Sequence, residues 1–89
     1  MKSWRIEIKP SAEKQYLKLD RKTRGRIKDT LRDLGQEEAP LLHPRVRSLT
    51  GKLKGDYRVR VGSWRVLFTP DRDSRVLLVY AILPRGDAY

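Results

Sequence analysis

On both sides of Gly62-Ser63 the chain alternates polar and apolar residues with period two, from Gly55 through Phe68. Such alternation around a Gly-first pair predicts a β-hairpin closed by a type II′ turn. A two-residue loop also fixes the register: Val61 opposes Trp64, Arg60 opposes Arg65, Val59 opposes Val66 and Tyr57 opposes Phe68. One face of the hairpin is therefore apolar, and the other carries Arg58, Arg60 and Arg65. Directly opposed like charges destabilise a strand pair. The pattern thus has two readings, a solvated outer face or a surface kept for an anion.

The rest of the chain arranges itself around this hairpin. Residues 3–8 place Trp4, Ile6 and Ile8 on one side and Ser3, Arg5 and Glu7 on the other, a short strand that Pro10 ends. Ser11 is then the expected N-cap of a helix with Ala12, Tyr16 and Leu19 inward. Asp20 caps a second helix along the stripe Ile27, Leu31, Leu34, with Gly35 expected as its C′ stop. Residues 36–44, with two prolines and no period, read as a loop containing His43, and residues 45–54 lead into the hairpin. After a turn at 70–74, residues 76–83 are apolar at both parities, as in a central strand covered on both sides. The expected order is βααβββ in one domain over residues 1–89. The fold class is α+β, two N-terminal helices packed on one face of a small, largely antiparallel four-stranded sheet.

A parity condition follows. Arg85, beyond the last strand, reaches the arginine face only if Val76, Leu78, Tyr80 and Ile82 face the helices, which requires an odd number of loop residues after the hairpin. In that register Leu67, Leu77, Val79 and Leu83 lie on the arginine face, enough apolar surface to call for a covering partner.

Composition then narrows the chemistry. The chain has 89 residues, 21 Lys plus Arg against 11 Asp plus Glu, a formal charge of +10 and no cysteine. One small core fits this length. Disulfides and thiolate metal sites are excluded, and a single histidine cannot build a metal cluster, so no metal or cofactor is expected. There is no signal-peptide core and no run of about 18 consecutive apolar residues, which points to a cytoplasmic protein that does not enter the membrane. The excess of arginine favours a polyanion, most simply nucleic acid, because guanidinium groups bind phosphate in bidentate fashion. Beyond the hairpin, the basic residues suited to contact RNA or a ribosome are Lys14, Lys18, Arg21, Lys22, Arg24, Arg26 and Lys28 on the helices, with Arg45, Arg47, Lys52 and Lys54 ahead of the hairpin. Paired carboxylates in a cleft, a Ser-His pair and a phosphate-cradling glycine loop are all missing from the sequence.

The βααβββ order, the Leu-x-Gly segment at Leu49–Gly51, the run Gly55–Phe68 and the ending Pro84-Arg85-Gly86-Asp87-Ala88-Tyr89 resemble RelE-type toxins of the RelE/ParE superfamily. The resemblance spans nearly the whole chain. It implies an endoribonuclease that enters the ribosomal A site and cuts mRNA, inhibiting translation, until a cognate acidic, RelB-like antitoxin neutralises it. It also implies catalytic roles for Arg58, Arg60, Arg65 and Arg85, with Tyr89 stacking on or orienting the substrate base. Some RelE members carry lysines where this chain has Arg58 and Arg60, so the general base stays open. Two alternatives share the charge and the fold: a ParE-like toxin that inhibits gyrase without nuclease activity, and a non-catalytic basic nucleic-acid-binding module.

Overall fold

The central hairpin forms in the expected register. In a computed structural model, which describes residues 3–84, strands β3 (Tyr57–Val61) and β4 (Trp64–Asp71) pair antiparallel, with Val61 opposite Trp64, Arg60 opposite Arg65 and Tyr57 opposite Phe68. Gly62 has φ of +60° and Ser63 no positive φ, as a type II′ turn requires. On the apolar face Val59, Val66 and Phe68 are fully buried, and the Tyr57 and Phe68 rings stack with centroids 6.1 Å apart.

Around this pair lie β1 (Arg5–Ile8), α1 (Pro10–Leu17), α2 (Arg21–Gln36), β2 (Val46–Ser48) and β5 (Val76–Pro84). The sheet has five strands in the order β1-β5-β4-β3-β2, with β1 parallel to β5 and the rest antiparallel. The additional strand is β2, only three residues long, within the stretch 45–54 expected to lead into the hairpin. It pairs Val46 with Val59 and Arg47 with Arg58. Three residues are too few for alternation to stand out, so β2 exists because the β3 edge accepts it.

Both helices pack on the apolar face. Ala12, Ile27, Leu31 and Leu34 join Val46, Val59, Val61, Val66, Phe68, Leu77, Val79 and Ile82 in one core. Burying each of the larger side chains contributes roughly 1.5–3 kcal/mol. Asp20 caps α2 as expected, its carboxylate accepting the Thr23 N–H at 3.3 Å. The α1 cap differs: the helix begins at Pro10 behind Lys9, because proline fits the first helical position without needing a donor. Gly35 also differs. It lies inside the last turn of α2, where a Cβ would come within 2.9 Å of the Trp4 carbonyl oxygen, and the Trp4 N–H donates to the Gly35 carbonyl at 2.7 Å. Close approach of β1, and not helix termination, requires glycine there.

The expectation for β5 needs the largest correction. The β4–β5 loop, 72–75, has an even number of residues, since Asp71 pairs with Val76. Leu77 and Val79 therefore face the helices and are fully buried, the reverse of the expected parity. The register then shifts: Phe68 opposes Val79 whereas Leu67 opposes Ala81, leaving Tyr80 as an extra residue in a β-bulge. Past the bulge Ile82 faces the helices, as expected. The bulge supplies the odd residue that the loop does not.

Side chains from α1 hold this irregularity. Pairing of β1 with β5 stops at Ile8 and Val79, and beyond it Ser11 Oγ donates to the Tyr80 carbonyl at 3.1 Å while the Ile82 N–H donates to Gln15 Oε1 at 2.7 Å. Backbone groups left unpaired where a strand ends are thus satisfied from the helix above.

Candidate nucleic-acid interface

Alternation along β3 and β4 sends Arg58, Arg60 and Arg65 to the side of the sheet opposite the helices. β2 extends that side by one strand. The row Arg47, Arg58, Leu67, Ala81 crosses four strands, and beside it the Arg60 N–H donates to the Arg45 carbonyl at 3.2 Å, which continues the row Arg60, Arg65, Leu83 to Arg45. Of the residues singled out from the sequence, Arg45, Arg47, Arg58, Arg60 and Arg65 are therefore brought together. Arg85 and Tyr89 lie outside the described residues.

The helix cations are not part of this group. Lys14, Lys18, Arg21, Lys22 and Lys28 are exposed on α1, α2 and their connection, on the other side of the sheet, and Arg24 is half-buried there, its carbonyl accepting the Tyr16 hydroxyl. The Arg26 guanidinium lies where a side chain on Gly62 would be, against the hairpin turn. Lys52 and Lys54 are exposed in the short turn joining β2 to β3.

Backbone carbonyls position two of the arginines. Arg58 Nη1 donates to the Arg45 carbonyl at 3.2 Å, and Arg47 Nη1 donates to the carbonyls of Pro44 at 2.8 Å and Val46 at 3.0 Å. Each keeps most of its N–H groups available. His43, which showed no partner in the sequence, accepts the Arg45 N–H on Nδ1 at 3.0 Å and so shapes the loop that delivers Arg45. Among the described residues, Arg47, Arg58 and Arg60 form no ion pair with a carboxylate.

One polar cluster escaped sequence reasoning. Asp56 accepts the Thr69 hydroxyl on Oδ1 and the Tyr80 hydroxyl on Oδ2, each at 2.8 Å. Burial, then the Asp56 hydrogen bond and charge, pushes the Tyr80 phenol above its ordinary range. Tyr80 therefore keeps its proton at neutral pH and is not a base. No periodicity could have found this cluster, because Tyr80 and Asp56 lie 24 residues apart and meet only across the folded sheet.

The apolar surface expected on the arginine side is also relocated. Leu77 and Val79 are in the helix-side core and Leu67 is 2% exposed; Leu83 alone of the four stays half-exposed there, opposite Arg65. Exposed apolar side chains gather instead between α1, α2 and β1. There Ile6, Ile8, Tyr16, Leu17 and Leu31 line a groove of about 430 Å³, with Ile8 43% and Leu17 61% exposed.

The family described as the ParE toxin of type II toxin–antitoxin systems, parDE, matches residues 6–89. The chain belongs to that family. Solved structures agree on the fold. The toxin is similar to a chain of the RelBE2 toxin–antitoxin complex of Mycobacterium tuberculosis, with a TM-score of 0.82 and 22% identity over 98% of this chain and 97% of that one. For the archaeal RelE–RelB complex of Pyrococcus horikoshii the TM-score is 0.79 and the identity 26%, over 97% and 99% of the two chains. For isolated Escherichia coli RelE the values are 0.71 and 18%, over 97% and 88%. A comparison with curated proteins finds no match. The α+β architecture of the RelE/ParE superfamily is thus shared, with five strands here in place of the four read from the sequence. No helix among the described residues is long and apolar enough to cross a membrane.

Proposed function

We propose that this toxin acts as a ribosome-dependent mRNA endonuclease. The observation that carries the reading is the assembly of Arg58, Arg60 and Arg65 on one sheet face, with Arg58 and Arg60 lacking carboxylate partners among the described residues. An array of like charges across paired strands costs stability, and a phosphoryl transition state repays it by drawing on the same charges. In the reaction, the 2′-hydroxyl loses its proton and O2′ bonds to the adjacent phosphorus. The bond from phosphorus to O5′ breaks, and O5′ takes up a proton. The products are a 2′,3′-cyclic phosphate and a 5′-hydroxyl. Arginine is too basic to accept the proton readily, so its part is to bind and stabilise the phosphorane charge. A flat basic face does little to align a flexible strand for in-line attack, which is why the ribosome is expected to hold it.

The neutralising partner is an acidic, amphipathic antitoxin segment. Its apolar side fits the groove between α1, α2 and β1, and the +10 charge of the toxin speeds its arrival. Two of the similar structures are themselves complexes of RelE-type toxins with antitoxins.

A second reading is favoured by the family description, which is ParE: inhibition of DNA gyrase without RNA cleavage. Primer extension on mRNA in a translating extract separates the two. New 5′ ends inside codons, lost in Arg58→Ala, support the nuclease. Intact mRNA together with inhibited supercoiling supports the other.

A further inference from the structure

Between β2 and β3 the arginine side contains a niche of about 160 Å³ lined by Pro44, Arg45, Arg47, Arg58 and Arg60. The guanidinium groups of Arg47 and Arg58 are each tied back to a main-chain carbonyl, which orders them before any ligand arrives. Arg47 and Arg58 are direct cross-strand partners, so the fold holds two like charges side by side on the edge of the sheet. From Arg65 on β4 through Arg60 on β3 to Arg45 at the β2 edge, the positive row spans two strand spacings, roughly 10 Å.

We propose that this niche seats a backbone phosphate of single-stranded RNA flanking the reacting phosphate, so that the RNA crosses the sheet from β4 towards β2, perpendicular to the strands. The inference rests on the nuclease reading and adds to it a direction and a second phosphate seat. The shape favours a phosphodiester chain over a peptide carboxylate. A row of arginines matches a repeated anion, and Pro44 is the one apolar residue in the lining, whereas the apolar groove a peptide needs lies on the other side of the sheet. Edge strand β2 is thus more than a seal on β3, since it delivers Arg45 and Arg47.

The test measures affinity for a labelled single-stranded RNA, with a 2′-deoxy nucleotide at the cut, across a series of salt concentrations. Arg47→Ala should bind more weakly, and its slope of log affinity against log salt should be shallower by about 0.7, the value for one phosphate contact on a single strand. Arg72→Ala, which removes one charge from the β4–β5 loop at the opposite end of β4, should leave the slope unchanged. Arg47→Lys should restore the slope, which shows that Arg47→Ala acts through charge and not through misfolding. RNAs with a neutral methylphosphonate at successive positions give the coupling: one position should weaken wild type and leave Arg47→Ala indifferent. An unchanged slope in Arg47→Ala, equal sensitivity of both proteins at every position, or no binding by wild type overturns the phosphate seat. So does an Arg47→Ala defect confined to binding polyglutamate, which would give the niche to a protein carboxylate. Cleavage in the translating extract is read separately. Loss of coupling with cutting intact removes only the seat, and coupling without any cutting removes only the nuclease.

Discussion

The two hairpins that share strand β4 are built on different logic. In β3–β4 a two-residue turn with Gly62 at φ +60° sets a register that runs without interruption from Val61–Trp64 to Tyr57–Phe68. In β4–β5 a four-residue loop starts the pairing at one parity, and the bulge at Tyr80 ends it at the other. The first hairpin is specified by contacts between residues close in sequence. The second is specified by Ser11 and Gln15 of α1 and by Asp56 and Thr69, all distant from Tyr80. The contrast matters for function: the regular hairpin displays the arginines, and the bulged strand returns the end of the sheet to a parity that turns Leu83 towards them.

Phe68 stands at the step where the two hairpins diverge, and it is fully buried. Phe68→Ala should cost about 3–5 kcal/mol in urea unfolding, with loss of both hairpins in one transition. Two separate transitions would show that the hairpins are energetically independent. Next in size, Arg58→Ala should lower cleavage on the ribosome roughly 100- to 1,000-fold, the effect of removing one preorganised donor, with the thermal melt little changed. A variant that cuts normally would leave the regular hairpin without a chemical role.

The bulge is tested with smaller effects. Gln15→Ala leaves the Ile82 N–H without its acceptor and should cost about 1–3 kcal/mol. Hydrogen exchange should quicken at Ile82 while Val59 and Val66 stay protected, whereas uniform quickening would refute local anchoring. The smallest effect comes from pH. Asp71 is held below its ordinary pKa of 3.8, first by the Ser74 N–H in the β4–β5 loop, and Asp20 is lowered by its cap on Thr23. A lowered pKa means stability present above 3.8 and lost as the pH falls through the folded-state value. Tyr80 has the opposite sign: its raised pKa means stability present below 10 and lost as the pH rises beyond it. Asp71→Asn should therefore flatten the acid limb of melting temperature against pH, and Tyr80→Phe the alkaline limb. The Gly62-Ser63 turn has no titrating group to match them.

By itself the sequence determined what is local or strictly periodic. Period-two alternation about Gly62 gave the register of β3–β4 and put Arg58, Arg60 and Arg65 on one face, and the Ile27, Leu31, Leu34 stripe gave the buried side of α2. The basic, cysteine-free composition excluded whole classes of chemistry before any fold was considered. Tertiary structure decided what depends on a partner elsewhere in the chain. Residues 46–48 became a strand because β3 had an open edge, and that pairing carried Arg47 alongside Arg58. Gly35 is needed because β1 passes over the end of α2, which the helix pattern could not show. In β5 every residue from Val76 to Leu83 is apolar apart from the hydroxyl of Tyr80, so alternation carried no information about which side faces in. The choice fell to the even loop, to the hydrogen bonds from α1 and to the one residue, Tyr80, whose hydroxyl needed Asp56.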